Sequence, residues 1–370
     1  MDFKELLETD EVANDVRIIT ALKRSGLPVV LYGASADVAG QIVKKLSSHD
    51  IEVAAVAFDG DSPLMTGLTA RLKDVETVGV KDVDGKFRAY NVIPGFVKGY
   101  GSIPAIKAKF GNAKTVSYLS EIFDLEAVTP SFIRENREFL EDLYENFQDR
   151  QSKDSFVAYL LSKTRQDMKY LPPVFDKTQY FPKGMFEFTP HESYFDCGAF
   201  TGDTIAGFLK AVGGSYRHIW AAEPDRLNCE QLAKYVRDEK LDNIDIINKG
   251  IYSHAGTLPF QEDGSMLSMI SDGAENRIAV DTIDEISGGA PVTYIKMDVE
   301  GVELQALKGA AQTIQSHRPV LGISIYHRQR DLIDIPEYVR SLVPEYRFYF
   351  RVHKKLAIDT VLYAVTARNQ

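Results

Sequence analysis

The feature that most constrains the fold is a series of short apolar runs, several of which end in an acidic or glycine-containing turn before a helical pattern begins. The most informative of them is YFDCGAFTGDT, residues 194–204. Candidate strands follow at 194–196, 218–222, 244–247, 292–298 and 319–326. This alternation predicts a doubly wound parallel sheet, which binds ligands at the carboxyl ends of its strands. The last two apolar runs, YRFYFRVHK and DTVLYAVTA, have no helix between them and predict a terminal β-hairpin.

A second, smaller α/β domain is predicted near the start of the chain. At 370 residues the chain is too long for one ordinary domain. LPVVLYGA at 27–34 and IEVAAVAFD at 51–59 are typical of buried strands, an amphipathic helix separates them, and DVDGKFRAY suggests a small hairpin. We therefore predict a Rossmann-like domain at 1–130, a helical connector at 131–178 and the larger domain at 179–370.

Composition excludes several classes of function. The net charge of −10 argues against nucleic-acid binding as the main activity, and the only compact basic cluster, RVHKK at 351–355, is expected to be a solvated strand end. The two cysteines lack the spacing of a zinc site. No apolar run approaches the ~20 residues that span a bilayer, and the first residues lack the apolar region of a signal peptide. We expect a cytoplasmic protein with no nucleic-acid partner and no membrane insertion.

The turn after residue 196 has the composition of a ligand-binding loop. It reads Asp196-x-Gly198-x-Phe200-x-Gly202, with phenylalanine where a D-x-G-x-G-x-G loop has its middle glycine. It lacks the lysine of a phosphate-binding loop. An acid at the strand end repels a pyrophosphate but suits a ligand that carries an ammonium group, such as S-adenosylmethionine. The alternative is that Asp196 or Asp203 only caps the following helix.

A second acid lies at the end of the next predicted strand. HIWAAEPD places Glu223 where a carboxylate accepts hydrogen bonds from both ribose hydroxyls in dinucleotide folds. The alternative is a helix-capping acid, for which Asp225 is the better placed of the two. Together with the glycine turn, Glu223 predicts nucleoside binding.

A third group of polar residues lies in YIKMDVEGVELQALKGA, residues 294–310. Lys296 and Asp298 share one face of a strand because side chains alternate. Glu300 and Glu303 follow at the turn and in the first turn of a helix. Three acids and a lysine at a strand end are typical of a site, although Glu300 and Glu303 also complement a helix dipole.

These segments together resemble a known family. FDCGAFTGDT, AAEPD, VDTIDEI, IKMDVEGVELQALKGA and RPVLGISIYH look like the successive signatures of the FkbM-type S-adenosylmethionine-dependent methyltransferases, over about residues 179–367. The resemblance implies a seven-stranded methyltransferase sheet and methylation of a hydroxyl, often on a sugar or natural product. It places the cofactor against Asp196, Gly198, Ala199, Phe200, Gly202, Asp203, Thr204, Glu223, Pro224, Ser265 and Asp298.

Methyl transfer requires the acceptor oxygen, the methyl carbon and the sulfur to lie in line. A hydroxyl acceptor loses its proton more readily beside a base or a metal ion. The base candidates are His327, in SIYHR, and Asp298, with His353 a weaker one. Lys296 is a candidate for stabilising the deprotonated acceptor, and Glu300 completes the predicted catalytic set. Asp298 and Glu300 are compatible with Mg²⁺, but nothing in the sequence requires a metal and we predict no metal ligands. Tyr326 is expected to pack on the opposite strand face from His327.

Two other functions stay open at this point. The upstream turn LYGASADVAG, with Gly33, Ser35 and Gly40, is a degenerate nucleotide motif, and Asp59 ends the next strand as a ribose acid does. It suggests a nicotinamide-dependent sugar-modifying oxidoreductase. A non-catalytic protein that binds S-adenosylmethionine is the other alternative. The expected partner is a small-molecule or saccharide acceptor, and the sequence leaves a homo-oligomer open.

Overall fold

The structure is a computed structural model that describes residues 3, 14–60, 75–96, 103–119, 128–261, 269–270, 276–353 and 359–367. Internal contacts divide the chain into two compact units. The N-terminal unit comprises Glu8–Ala127 and Leu161–Tyr170, and the C-terminal unit comprises Met1–Leu7, Val128–Leu160 and Leu171–Gln370.

The N-terminal unit is built on a five-stranded parallel sheet. Its strands are β1 (Val29–Tyr32), β2 (Val53–Phe58), β3 (Glu76–Gly79), β4 (Tyr90–Pro94) and β5 (Ala113–Val116), in the spatial order β3-β2-β1-β4-β5. The helices are α1 (Asn14–Ser25), α2 (Ala36–Ser47), α3 (Val80–Lys86) and α4 (Ile103–Lys107). The predicted hairpin at DVDGKFRAY was wrong. That segment contains the end of α3 and the start of β4, because parallel neighbours such as β1 and β4 need a crossover rather than a tight turn.

Two layers of apolar side chains cover the two faces of this sheet. One contains Leu31, Val56 and Ile93 with the helix residues Ile42 and Leu46, and the other contains Val30, Tyr90, Val92 and Phe110. Because both faces are covered, the central strands are continuously apolar rather than alternating, as parallel sheets require.

The C-terminal unit confirms the predicted seven-stranded sheet. Its strands are β6 (Ser193–Cys197), β7 (His218–Ala222), β8 (Ile244–Ile247), β13 (Tyr294–Met297), β14 (Val320–Ser324), β15 (Arg347–Val352) and β16 (Thr360–Val365); the intervening labels β9 to β12 belong to the small sheet described below. The spatial order is β15-β16-β14-β13-β6-β7-β8. Five of these strands, β6, β7, β8, β13 and β14, run parallel to one another. Strand β16 runs antiparallel to both β14 and β15, which confirms the terminal hairpin.

A small four-stranded sheet that the sequence did not predict lies between β8 and β13 in the chain. It consists of β9 (Gly250–Ile251), β10 (Gly256–Gln261), β11 (Met269–Ile270) and β12 (Arg277–Asp281), in the order β11-β10-β12-β9. The two-residue strands are too short to give a periodic signal in the sequence.

The helices of the C-terminal unit alternate with the parallel strands. They are α5 (Pro130–Glu135), α6 (Arg137–Glu145), α7 (Arg150–Arg165, which ends in the N-terminal unit), α8 (Asp203–Ala211), α9 (Arg226–Asp238), α10 (Ile283–Ser287), α11 (Glu303–Lys308), α12 (Ala311–His317) and α13 (Asp331–Leu342). A 3₁₀ turn lies at Pro172–Val174, and another at Met168–Tyr170 belongs to the N-terminal unit. An aromatic core joins α8 to the sheet: Tyr194 of β6 stacks on Phe208 of α8 at 4.4 Å between ring centroids and on Tyr294 of β13 at 5.5 Å.

The helical segment at 128–160 packs against the edge of the C-terminal sheet. Phe156 contacts Phe147 and Phe350 edge-on, with centroids 5.3 and 5.2 Å apart. The Gln148 amide donates to the carbonyl of Phe348 at 3.1 Å, so the segment also occupies backbone groups of the edge strand β15. Exposed edge strands invite pairing with other chains, and this cover removes part of that risk.

The expectation that RVHKK is a solvated strand end was wrong for its first and third residues. Arg351 and His353 are 5 % and 4 % exposed. Arg351 donates to Asp149 Oδ2 at 2.5 Å and to Ser152 Oγ at 2.7 Å, both from the helical segment that covers the edge. His353 contacts the Tyr363 hydroxyl at 2.8 Å, and burial lowers its pKa to about 4. Arg351 and His353 are therefore structural, and the two lysines of the cluster lie outside the described residues.

In the part of the chain that the structure describes, no helix combines the length and the apolar character needed to cross a membrane.

The Arg351–Asp149 contact gives a stability prediction. Arg351→Met leaves the partly buried Asp149 carboxylate without its cation, and we expect it to lower the free energy of unfolding by about 2–4 kcal/mol. The matched control is Arg137→Met, which removes an exposed Arg137–Glu141 pair. This control should change the free energy of unfolding by less than about 0.5 kcal/mol. Urea denaturation of both variants checks this, and equal destabilisation would contradict the structural role of Arg351.

Candidate active site

The turn after β6 depends on two glycines. Gly198 has φ +78°, and a side chain there would overlap the carbonyl oxygen of Asp298, which follows β13. Gly202 has φ +98°, and a Cβ atom would lie 2.6 Å from the Tyr235 ring. Both positions combine a left-handed backbone with close packing, so only glycine fits. We call residues 198–202 the glycine loop.

Phe200, which replaces the middle glycine of the loop pattern, adopts a backbone conformation typical of glycine. Phe200 has φ +47°, the left-handed region that glycine adopts without strain. Its backbone N–H donates to Glu223 Oε2 at 2.9 Å. This hydrogen bond fixes the left-handed backbone, so the loop keeps the shape of the glycine pattern although the residue is bulky.

Glu223 lies at the end of β7 with its carboxylate facing the glycine loop. Its two oxygens accept from the backbone N–H groups of Phe200 and Asp225, at 2.9 and 3.0 Å. Burial raises the pKa of Glu223 to about 7, although these two hydrogen bonds oppose the rise. A carboxylate has about four acceptor positions, so two stay available for hydroxyl donors.

The surrounding turn is held by two other side chains. Asp225 accepts from the N–H groups of Leu227 and Asn228 and caps α9, which confirms the better-placed cap of the two acids. The Asn248 amide donates to the carbonyl oxygens of Glu223 and Pro224 at 2.9 and 3.0 Å. The sequence gives no sign of this role for Asn248, because its partners are backbone groups about 25 residues away.

Asp196 and Lys296 form a buried ion pair between β6 and β13. The Lys296 ammonium lies 3.1 Å from Asp196 Oδ1 and donates to the Gly198 carbonyl at 2.5 Å, while Thr204 Oγ1 donates to Asp196 Oδ2 at 2.5 Å. Burial alone would lower the pKa of Lys296, but the charges of Asp196 and Asp298 raise it above its usual range. The pair therefore fixes the glycine loop from below.

These contacts bear on three predicted roles. Helix α8 begins at Asp203 after Gly202, and neither Asp196 nor Asp203 caps it with its side chain. Asp196 is 0 % exposed and already faces a cation. Direct contact of Asp196 with the cofactor, and of Lys296 with the acceptor, both stay predictions.

Asp298, Glu300 and His327 converge where β13 and β14 end, and we call these three residues the strand-end cluster. His327 Nε2 lies 3.2 Å from Glu300 Oε2 and 3.8 Å from Asp298 Oδ1. The histidine side chain is 3 % exposed, while those of Asp298 and Glu300 are 18 % and 22 % exposed. The cluster therefore has a buried imidazole and a solvent-facing carboxylate rim.

Glu303, which the sequence places in the first turn of a helix, orients His327 of this cluster. Glu303 is buried, and its Oε1 lies 3.0 Å from His327 Nδ1 and accepts from the N–H of Val299 at 3.0 Å. Its position in the first turn of α11 suits the helix dipole as well, so the sequence alone gives no sign that it faces a histidine.

Two tyrosines complete the surroundings of Asp298. Tyr180 OH donates to Asp298 Oδ2 at 2.9 Å, and Tyr326 OH donates to Oδ1 at 3.4 Å. The expectation that Tyr326 packs on the face opposite His327 was wrong, because β14 ends at Ser324 and strand alternation does not extend to residues 326 and 327. The two rings lie side by side, with centroids 4.0 Å apart.

Three carboxylates surround the His327 imidazole and determine its electrostatics. Burial alone would lower the pKa of His327, but Glu303, Glu300 and Asp298 raise it well above its usual range. Burial raises the pKa of Glu300, and the nearby histidine opposes that rise. The arrangement thus concentrates negative charge around one imidazole and favours a cation at its centre.

The upstream turn in the N-terminal unit is filled by protein groups. Ser35 caps α2 by accepting from the N–H of Val38. A Cβ atom on Gly33 would lie 3.0 Å from the Phe96 ring, so this ring covers the turn. Asp59, the predicted ribose acid, forms an ion pair with Lys109 and accepts from the Tyr32 hydroxyl.

Of the other predicted site residues, Ala199 lies in the glycine loop and Pro224 in the turn after β7. Ser265 lies outside the described residues. The glycine loop, Glu223 and the strand-end cluster follow the neighbouring strands β14, β13, β6 and β7, so the fold brings them to one edge of the sheet.

Comparison with known proteins agrees with this geometry. Residues 196–350 match the family model described as the methyltransferase FkbM domain. The chain is similar to the crystal structure of methyltransferase FkbM from Methylobacillus flagellatus KT, with a TM-score of 0.73 and 24% identity over 95% of this chain and 94% of that one. No curated protein matches.

More distant structural matches cover about half of the chain. An rRNA methylase from Streptococcus thermophilus has a TM-score of 0.32 and 13% identity, over 48% of this chain and 87% of that one. The putative methyltransferase SMU.1697c from Streptococcus mutans, in complex with SAH, has a TM-score of 0.31 and 8% identity, over 48% and 89%.

The glycine loop and the strand order thus lie in a segment, residues 196–350, that matches the methyltransferase FkbM domain.

Proposed function

We propose that this enzyme transfers a methyl group from S-adenosylmethionine to a hydroxyl oxygen of a saccharide or natural product. The observation that carries the proposal is the position of the strand-end cluster. Its member Asp298 contacts Gly198 of the glycine loop through its backbone carbonyl, so proton-accepting groups lie directly beside the predicted cofactor loop. A hydroxyl acceptor must lose its proton during transfer, and such groups supply that need.

The residues around the glycine loop fit the cofactor. Gly198 and Gly202 let the loop pack closely against Asp298 and Tyr235 in a left-handed backbone, which gives the turn its compact shape. Glu223 has two acceptor positions left for ribose hydroxyls after its two backbone hydrogen bonds. When bound, S-adenosylmethionine supplies an electrophilic methyl group on a sulfonium.

The chain's own groups then position the acceptor. Asp298 is held by Tyr180 and Tyr326 and is fixed against the glycine loop, so we assign it the contact with the acceptor hydroxyl. As the new oxygen–carbon bond forms and the sulfur–carbon bond breaks, the hydroxyl proton passes to the strand-end cluster. Holding the three reacting atoms in line supplies much of the rate enhancement.

The direct test is an assay with S-adenosylmethionine that carries a labelled methyl group. Saccharides, nucleotide sugars and glycolipid intermediates serve as hydroxyl acceptors, and amines serve as the contrasting class. The proposal expects label in a methyl ether. Label only in amines would overturn oxygen transfer, and bound cofactor without transfer to any acceptor would favour a non-catalytic role.

Asp298→Asn should lower kcat by about 10²–10⁴-fold, because the amide cannot accept the hydroxyl proton. Affinity for S-adenosylhomocysteine should change little, since Asp298 acts on the acceptor. Asp245→Asn, at an exposed carboxylate on β8, is the control and should retain activity. A variant with unchanged kcat would remove Asp298 from the proposed role.

Glu223→Ala should weaken binding of S-adenosylhomocysteine by about 10–100-fold, because hydrogen bonds to a charged group contribute about 1.5–3 kcal/mol. Calorimetry measures this. The control is Glu230→Ala, which removes an exposed carboxylate on α9 paired with Arg226. Unchanged affinity in Glu223→Ala would exclude this carboxylate from the cofactor site.

The raised pKa of Glu223 predicts a pH dependence of cofactor affinity. Below a pKa of about 7 the carboxyl is protonated in the free enzyme, so binding that requires the carboxylate must first release a proton. Affinity for S-adenosylhomocysteine should therefore rise about tenfold between roughly pH 6 and 8. Glu223→Gln should abolish the rise, and a rise that persists in this variant would assign it to another group.

A further inference from the structure

We propose that Asp298, Glu300 and His327 bind a divalent transition-metal cation. The three side chains offer one imidazole nitrogen and two carboxylate oxygens, and these ligand atoms all lie within 4.8 Å of one another. Ligand atoms bound at about 2.0–2.2 Å from one ion lie at most about 4.4 Å apart, and His327 Nε2 lies 3.2 Å from Glu300 Oε2 and 3.8 Å from Asp298 Oδ1.

The geometry of His327 is the observation that distinguishes this site from a cluster of acids. The His327 side chain is 3 % exposed, and its Nε2 lies near the Glu300 and Asp298 carboxylates without a partner in hydrogen-bond geometry. Buried imidazole nitrogens are normally satisfied. Nε2 lies on the side of Asp298 and Glu300, where a cation would accept its lone pair.

Glu303 supplies the support that metal-binding histidines need. Its Oε1 lies 3.0 Å from His327 Nδ1, on the other side of the ring from the two carboxylates. In metal sites, a histidine ligand usually donates its second N–H to a carboxylate or carbonyl, which fixes the tautomer and the orientation of the ring. Glu303 is itself held by the N–H groups of Val299 and Gly301.

The donor set also indicates the kind of cation. Carboxylates suit Mg²⁺, Ca²⁺ and Mn²⁺, whereas imidazole suits Zn²⁺, Fe²⁺ and related ions, so the mixed set favours a first-row transition ion such as Mn²⁺ over Mg²⁺ or Ca²⁺. Three protein ligands leave positions for water or for oxygens of an acceptor. The part of the inference that concerns the acceptor rests on the proposed function: a coordinated hydroxyl loses its proton more readily.

The test measures Mn²⁺ binding to the full chain after metal removal, by calorimetry and by electron paramagnetic resonance, without cofactor or acceptor. A single Mn²⁺ should bind per chain, with MgCl₂ a poor competitor. His327→Gln and Glu300→Gln should each weaken binding by about 100-fold or more, since even the loss of an outer support costs 10–100-fold. The control is His218→Gln, which alters a histidine–aspartate pair for which the described part of the chain offers no third ligand.

Failure to bind Mn²⁺ near millimolar concentration, or binding that survives in Glu300→Gln, would overturn the site and leave His327 as an ion-pair partner only. Glu300 lies at the solvent-facing rim, so this variant serves if His327→Gln does not fold. Retained affinity for S-adenosylhomocysteine shows that each variant is folded. Because the readout needs no turnover, Mn²⁺ binding without methyl transfer would refute the proposed function and leave the cation site standing.

Discussion

The buried ion pair between Asp196 and Lys296 is the interaction on which the rest of the site depends. It joins the ends of β6 and β13, and the same ammonium holds the carbonyl of Gly198. A buried charge that loses its partner destabilises a protein strongly, so the two strand ends cannot separate at low energetic cost. The glycine loop and Asp298 are thereby fixed to one another.

The fold divides the site into two halves on either side of this pair. The turn after β7 contributes Glu223 and the strand ends of β13 and β14 contribute the strand-end cluster, with β6 between them. The proposed cofactor half is built from backbone N–H groups and one carboxylate, whereas the proposed acceptor half is built from charged side chains. This division explains why loss of Glu223 should affect cofactor binding and loss of Asp298 the chemical step.

The sequence predicted the sheet well because strands and helices leave periodic apolar patterns. All five parallel strands of the C-terminal unit and the closing hairpin are confirmed. Asp298, Glu300 and His327 were candidates because they follow strands whose carboxyl ends meet at one edge. Their mutual distances required the structure, since the two strand ends are separated by helices α11 and α12 in the chain.

Other features escaped because they depend on tertiary contacts. Tyr180 reaches Asp298 from a segment without periodicity, and its backbone is held by a hydrogen bond from its N–H to the Tyr363 hydroxyl. Arginine is a residue type that normally lies at the surface. Arg351 is buried because the helical segment at 128–160 supplies Asp149 and Ser152 as its partners. Phe200 departs from the loop pattern in residue type but keeps its left-handed backbone, so the pattern specifies conformation.

The central claim is that the cofactor lies over the glycine loop with its sulfur facing the strand-end cluster. A crystal structure of the full chain with S-adenosylhomocysteine tests it most directly. We predict ribose hydroxyls on Glu223 and a sulfur that faces Asp298, with room for an acceptor oxygen between them. Density over the upstream turn at Gly33, or a sulfur that faces away from Asp298 and His327, would contradict it.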